Sequence, residues 1–195
     1  MLGSITPLGE RGRGSRWWLT VSAYLLGSVV GGAIAGGVLG WIGSGIDLGP
    51  GSRLLMLGVA TLVGIAFDLQ IGGLRLPTVH RQVEESWRTR YRGWVWGLAF
   101  GFQLALGVVT VVTSSTVYLT WLAASLSGSV RGGIAIGVTF GLVRAAPILT
   151  VAHVRLPAQL PGVDATLRRL AVPAQRLNLA TGGTVAALAL AGAIR

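Results

Sequence analysis

The sequence predicts an all-α fold: a polytopic integral membrane helix bundle of about five transmembrane helices plus an amphipathic interfacial helix. Three observations carry that prediction. Between Arg92 and Arg131 lie 38 consecutive residues without Asp, Glu, Lys, Arg or His, and further uncharged runs extend from Trp17 to Ile46 and from Leu177 to Ile194. A hydrocarbon core about 30 Å thick is crossed by roughly 20 such residues in a helix. Charged residues make up 11% of the chain, against about 25% in soluble domains. So many apolar stretches cannot all be interior in one small aqueous domain. Residues 1–195 read as a single transmembrane domain, because no polar segment is long enough to build a core of its own.

The first span is expected from Trp17 to Ile42. Ser28, Gly32, Gly36 and Gly40 recur every fourth residue, which puts them on one helix face where a second helix can approach closely. Ser44–Gly51, rich in Gly with one Pro, reads as a loop, and a second span runs from Arg53 to Gly72 with Asp68 near its far end. Leu76–Arg92 differs in kind. Val79, Val83, Trp87 and Tyr91 recur at four-residue spacing, and Arg81 with Glu85 and Glu84 with Arg88 form i,i+4 pairs, the pattern of an amphipathic helix in the membrane interface or docked on the cytoplasmic face.

A third span opens at Gly93, carries Gly93, Gly97 and Gly101 on one face, and stays apolar to Leu126. That length suits one broken helix or two segments. The fourth span, Gly132–Ala152, holds Arg144 and Pro147. A linker from His153 to Arg176 contains Pro157, Pro161 and Pro173, with Val163, Leu167 and Leu170 able to form a short interfacial turn. The last span is Leu177–Ile194.

The net charge of +10 comes entirely from Arg. An inside N-terminus places twelve of the arginines in cytoplasmic segments, three (Arg53, Arg131 and Arg195) outside, and Arg144 within the membrane. This positive-inside bias predicts a bacterial inner membrane type of cell membrane location, N-terminus cytoplasmic and C-terminus external. Membrane lipid is the expected partner of the basic loops, with a partner membrane subunit or a homo-oligomer as protein contacts, and no nucleic acid. Trp17, Trp18, Trp41, Trp87, Trp94 and Trp96 fall near span ends, as interfacial anchors do.

From Arg16 to about Leu156 the pattern resembles the cytochrome c biogenesis transmembrane family, the CcdA type, related to the membrane domain of DsbD and to LysE-type exporters. The likeness rests on GWVWGLAFGFQLALGVVTVVTSSTVYL, the short loop LSGSVRGG, a span ending GVTFGLVRAAPIL, and the first span RWWLTVSAYLLGSVVGGAIAGGVLGWIG. The resemblance implies a broken-helix scaffold of transport type. It also implies six helices and two Pro-Cys motifs, whereas this chain offers about five spans and no Cys. Thr113-Ser114-Ser115 stands where a redox cysteine belongs, and a hydroxyl has no thiol redox chemistry. The expected function is therefore transport on a CcdA/LysE-like scaffold without thiol redox activity. The alternative is a non-catalytic membrane subunit that anchors or assembles with partner chains.

Two sets of residues are candidates for a site. Asp68 and Arg144 form an expected intramembrane charged pair, since an Arg at a helix centre costs about 2.5–3.5 kcal/mol on insertion scales and usually has a partner. Separate snorkelling of the two groups and a role in substrate or ion handling stand beside it. The second set is Gln103, Thr110, Thr113, Ser114, Ser115 and Thr116, a polar helix break or binding site, with helix packing as the other reading. Pro147 is expected to kink the fourth helix. No catalytic set and no cofactor follow from these residues; His80 and His153 lack ligand spacing for a metal.

Overall fold

The computed structural model describes residues 6–12, 14–74, 76, 92–107, 114–152, 154 and 156–194. Within these the elements are α1 (Pro7–Gly12), α2 (Trp17–Ser44), α3 (Pro50–Asp68), α4 (Gly93–Leu106), α5 (Thr116–Leu126), α6 (Val130–Ala145) and α7 (Leu160–Ala193). Short 3-10 turns lie at Ile71–Gly73, Ala146–Val151 and Pro157–Gln159, and the described residues contain no strand. The expected amphipathic helix, apart from Leu76 and Arg92, lies outside the described residues, as do Thr110, Thr113 and both histidines.

Helix α2 is the axis of the bundle because its glycines let two other backbones touch it. A Cβ added at Gly32 would run into the carbonyl oxygen of Gly137, one at Gly36 into that of Gly133, and one at Gly40 into that of Ser129. The reverse holds at Gly133 and Gly137, which meet the carbonyls of Gly36 and Gly32. Helices α2 and α6 are therefore antiparallel, with no side chain between them over two turns. On another side of α2, Gly27 faces the Leu98 carbonyl, Gly97 the Thr20 carbonyl and Gly101 the Tyr24 carbonyl, so α4 runs parallel to α2. The outward stripe of α2 is large and apolar: Leu26, Ile34 and Val38 are 55%, 50% and 50% exposed. Small residues inside and large apolar ones outside suit packing in lipid, where close backbone approach replaces the hydrophobic drive between helices.

Three segments are long and apolar enough to cross a membrane: Trp17–Ser44, Pro50–Asp68 and Val130–Val151. The chain is accordingly membrane-associated and all-helical. The remaining two expected spans take other forms. The third apolar run divides into α4 of 14 residues and α5 of 11 residues, each too short alone for a core about 30 Å thick at about 1.5 Å per residue. Gly107, in the left-handed region at φ 70°, ends α4. The last span and residues 160–176 of the expected linker join into one helix, α7, of 34 residues. Pro161 falls in its first turn, where the missing N–H costs nothing, and Pro173 is accommodated inside it. Helix α7 packs antiparallel on α3: Gly51 lies against the Ala193 carbonyl, Leu54 against Gly192, and Gly58 against Leu190.

Two polar side chains, one buried and one half-buried, fasten the ends of the bundle. Glu10 of α1, fully buried, accepts a hydrogen bond from Thr20 Oγ1 at 2.8 Å, and Gly93 leaves room for its carboxylate. At the opposite end the Arg53 guanidinium donates to the carbonyls of Leu48, Leu126, Gly43 and Ile46 at 3.0, 3.3, 3.3 and 2.9 Å. It thereby caps the C-terminal ends of α2 and α5 and ties both to the loop before α3.

Candidate polar site at the helix break

Helix α5 restarts where three polar side chains meet the end of α3. Asp68, the last residue of α3, accepts from the Ser115 backbone N–H at 2.7 Å, from Ser115 Oγ at 2.8 Å and from Ser114 Oγ at 3.1 Å. A fourth donor comes from α7: Asn178 Nδ2 reaches Asp68 Oδ2 at 3.3 Å and Ser114 Oγ at 2.9 Å. Thr116 Oγ1 donates to Asn178 Oδ1 and lies 3.0 Å from Ser114 Oγ. The α3 backbone can come this close because Gly64 has no side chain; a Cβ there would sit 2.8 Å from Ser115 Oγ. A break in a membrane helix exposes N–H groups that lipid cannot satisfy, and here a carboxylate from the neighbouring helix takes one of them.

Beside this knot lies a cavity of about 220 Å³ between α3, α5, α6 and α7. Asp68, Asn178 and Thr116 line its polar end, and Leu57, Ile65 and Leu179 are among its apolar walls. Among the described residues the carboxylate is the one acidic or basic group in that lining, and the groups that hydrogen-bond to it are neutral. The arrangement can hold a charge and present oxygen acceptors; it offers no nucleophile activated by a base.

Asp68 and Arg144, the expected charged pair, have different neighbours among the described residues. The carboxylate's hydrogen-bond partners are Ser114, Ser115 and Asn178, while Arg144 sits in the last turn of α6 with its guanidinium 5.5 Å from the Phe140 ring centroid and in electrostatic reach of Tyr24. The depths assigned from the sequence were compatible, but the two helices present these residues to different neighbours. Ser114, Ser115 and Thr116 do gather at the break. Gln103 is half-buried on α4 and takes no part in the Asp68 hydrogen bonds. Pro147 ends the α-helix in a different way from a simple kink: α6 closes at Ala145 and the chain tightens into the 3-10 turn Ala146–Val151. Asn178 was not singled out from the sequence, although a lone amide in an otherwise apolar run was the available signal.

No family model matches the chain, and no solved structure matches it. Curated relatives do. The methylamine utilization protein MauF of Methylophilus methylotrophus is 34% identical over 173 residues, covering 86% of this chain and 59% of its own length. The MauF protein of Paracoccus versutus is 32% identical over 199 aligned positions, covering 96% of this chain and 72% of its own length. That of Paracoccus denitrificans is 36% identical over 154 residues, covering 74% and 54%. The chain thus spans between about half and three quarters of the length of these relatives. They overturn the expected kinship with CcdA, DsbD and LysE-type proteins, which rested on Gly and Pro landmarks common to close-packed membrane helices. The transport reading falls with it, and the anchoring-subunit alternative gains no support from these names. Near-complete coverage at this identity establishes the family: the chain belongs to the MauF family of methylamine utilization proteins.

Proposed function

We propose that this chain serves methylamine utilization as an accessory membrane protein in the maturation of methylamine dehydrogenase, the process that forms its tryptophan tryptophylquinone cofactor. The observation that carries the proposal is the similarity to the Paracoccus versutus MauF protein over 96% of the chain. In this reading its partners are the proteins of that maturation, with lipid around the apolar faces of α2 and α3. We assign it no chemical step of its own. A chain without Cys brings no thiol to a redox reaction.

We further propose that Trp17 faces the cytoplasm and Ala193 the outside. The arginine bias supports this, and so does the packing. Ala193 lies against Gly51, which follows the loop closing α2, so the end of α7 sits at the pole opposite Trp17. Deleting the gene in a methylotroph should abolish growth on methylamine but not on a substrate that bypasses the amine. The dehydrogenase polypeptide should persist without activity, and uptake of labelled methylamine should be unchanged. Active dehydrogenase in the deletion strain would refute the maturation role, and reporter fusions at Gly45 and Ile194 that reported a cytoplasmic location would refute the orientation.

A further inference from the structure

We propose that the cavity beside Asp68 is a receptor for a small alkylammonium ion such as methylammonium. The inference rests on the methylamine-utilization reading and adds a ligand to it. Three observations carry it.

First, the carboxylate is bonded by neutral groups among the described residues. Asp68 lies at the end of a membrane-spanning helix, and its four hydrogen bonds among the described residues come from an amide N–H, two hydroxyls and a carboxamide. All four groups are donors to the carboxylate, and none of these partners among the described residues carries a positive charge. A carboxylate in a low-dielectric region favours a cation beside it far more than one in water does.

Second, the acceptors point to an ammonium head. Asp68, Thr116 and Asn178 reach the cavity lining together with the hydroxyl-bearing Thr61, Thr120 and Thr181. An R–NH₃⁺ group has three N–H donors and no acceptor, so a carboxylate with neighbouring hydroxyl oxygens complements it. Alkylamines resemble the lysine side chain, with a pKa near 10.4, and are cationic at neutral pH.

Third, the rest of the wall is apolar. Leu57, Ile65, Leu119, Ala123, Ile136 and Val185 line the apolar side of the roughly 220 Å³ cavity, which is open on one side. Bare sodium would leave these walls without a partner, whereas a methyl group packs against them. The lining therefore favours methylammonium over ammonium, and ammonium over sodium.

The test is thermal unfolding of the purified full chain in detergent, titrated with methylammonium chloride and, in separate arms, with ammonium chloride and sodium chloride at equal ionic strength. Methylammonium at about 100-fold its dissociation constant should raise the midpoint by several degrees, with a smaller shift for ammonium and none for sodium. Asp68→Asn should weaken binding by about 10-fold or more. Because that variant also alters the α5 end, Ala123→Leu provides the second arm: it fills the cavity and leaves the carboxylate untouched, and it should abolish the methylammonium shift. Equal shifts for all three salts, no shift for methylammonium, or full binding by Ala123→Leu would each overturn the proposal. Growth of the deletion strain on methylamine would instead defeat the functional reading, and the binding result with purified protein would stand separately.

Discussion

Gly36→Ala tests the close approach on which the bundle is built. An added Cβ at this position collides with the Gly133 carbonyl oxygen, lies 2.9 Å from the Gly133 carbonyl carbon and 3.1 Å from the Gly137 Cα. These atoms are backbone on a facing helix, so no side chain can rotate away. The α2–α6 spacing must widen along its length, separating Gly32 from Gly137 and Gly40 from Ser129 as well. Overpacking of an ordered interior costs typically about 1–3 kcal/mol, and the loss of contact on either side places this variant at the upper end. Against it stands the intrinsic helix preference for Ala over Gly, about 1 kcal/mol. The net expectation is a destabilisation of about 1–2 kcal/mol. Gly183→Ala is the matched control: nothing lies within 4 Å of its added Cβ, so only the propensity gain of up to about 1 kcal/mol applies. Both are read by unfolding of the purified protein in detergent. If Gly36→Ala proved as stable as Gly183→Ala, the backbone contact of α2 with α6 would not be what holds them.

Arg53→Lys should destabilise by about 2 kcal/mol, because one ammonium cannot reach the four carbonyls that the guanidinium fork joins; unfolding of the same preparation measures it. Asp68→Ala and Asn178→Ala should be coupled in a double-mutant cycle by at least about 0.5 kcal/mol, since they share hydrogen bonds. Asp68→Asn and Arg144→Gln should instead be additive within about 0.3–0.5 kcal/mol, because the carboxylate bonds to Ser114, Ser115 and Asn178. Coupling there would mean that the two charges interact after all.

The helices were legible because missing charges and four-residue glycine repeats are local. Ser28, Gly32, Gly36 and Gly40 were correctly placed on one face, and the polar stretch at Ser114–Thr116 marked the place where an apolar run breaks. Identity of the neighbour was not legible. Spacing along α2 says that some backbone approaches Gly36, and nothing in it selects Gly133 over Gly97. The same gap holds at the site. Depth arithmetic set Asp68 level with Arg144, since opposite charge is the only partner preference visible in a sequence. The carboxylate's partners among the described residues are a serine pair and an amide, residue types that look the same whether they pack, bond or bind. Helix length failed for a related reason: Pro157, Pro161 and Pro173 suggested a linker, yet Pro161 falls at a helix start and Pro173 is absorbed by α7.

Helix α3 does more than lie beside α5. It carries an acid at Asp68 and a base at Arg53, and it runs antiparallel to α5, so the acid meets the N-terminal end of α5 and the base its C-terminal end. A helix bears about half a positive charge at its first turn and half a negative one at its last. The two side chains of α3 are thus a complementary dipole laid along the dipole of α5. They also act as a ruler: about 22 Å separates residues 53 and 68 at 1.5 Å per residue, against about 17 Å from residue 115 to 126, a difference within the reach of one arginine. An 11-residue helix is too short to be stable by propensity alone. Sliding α5 along α3 by one turn would unseat both ends together, so α3 fixes where the broken span restarts.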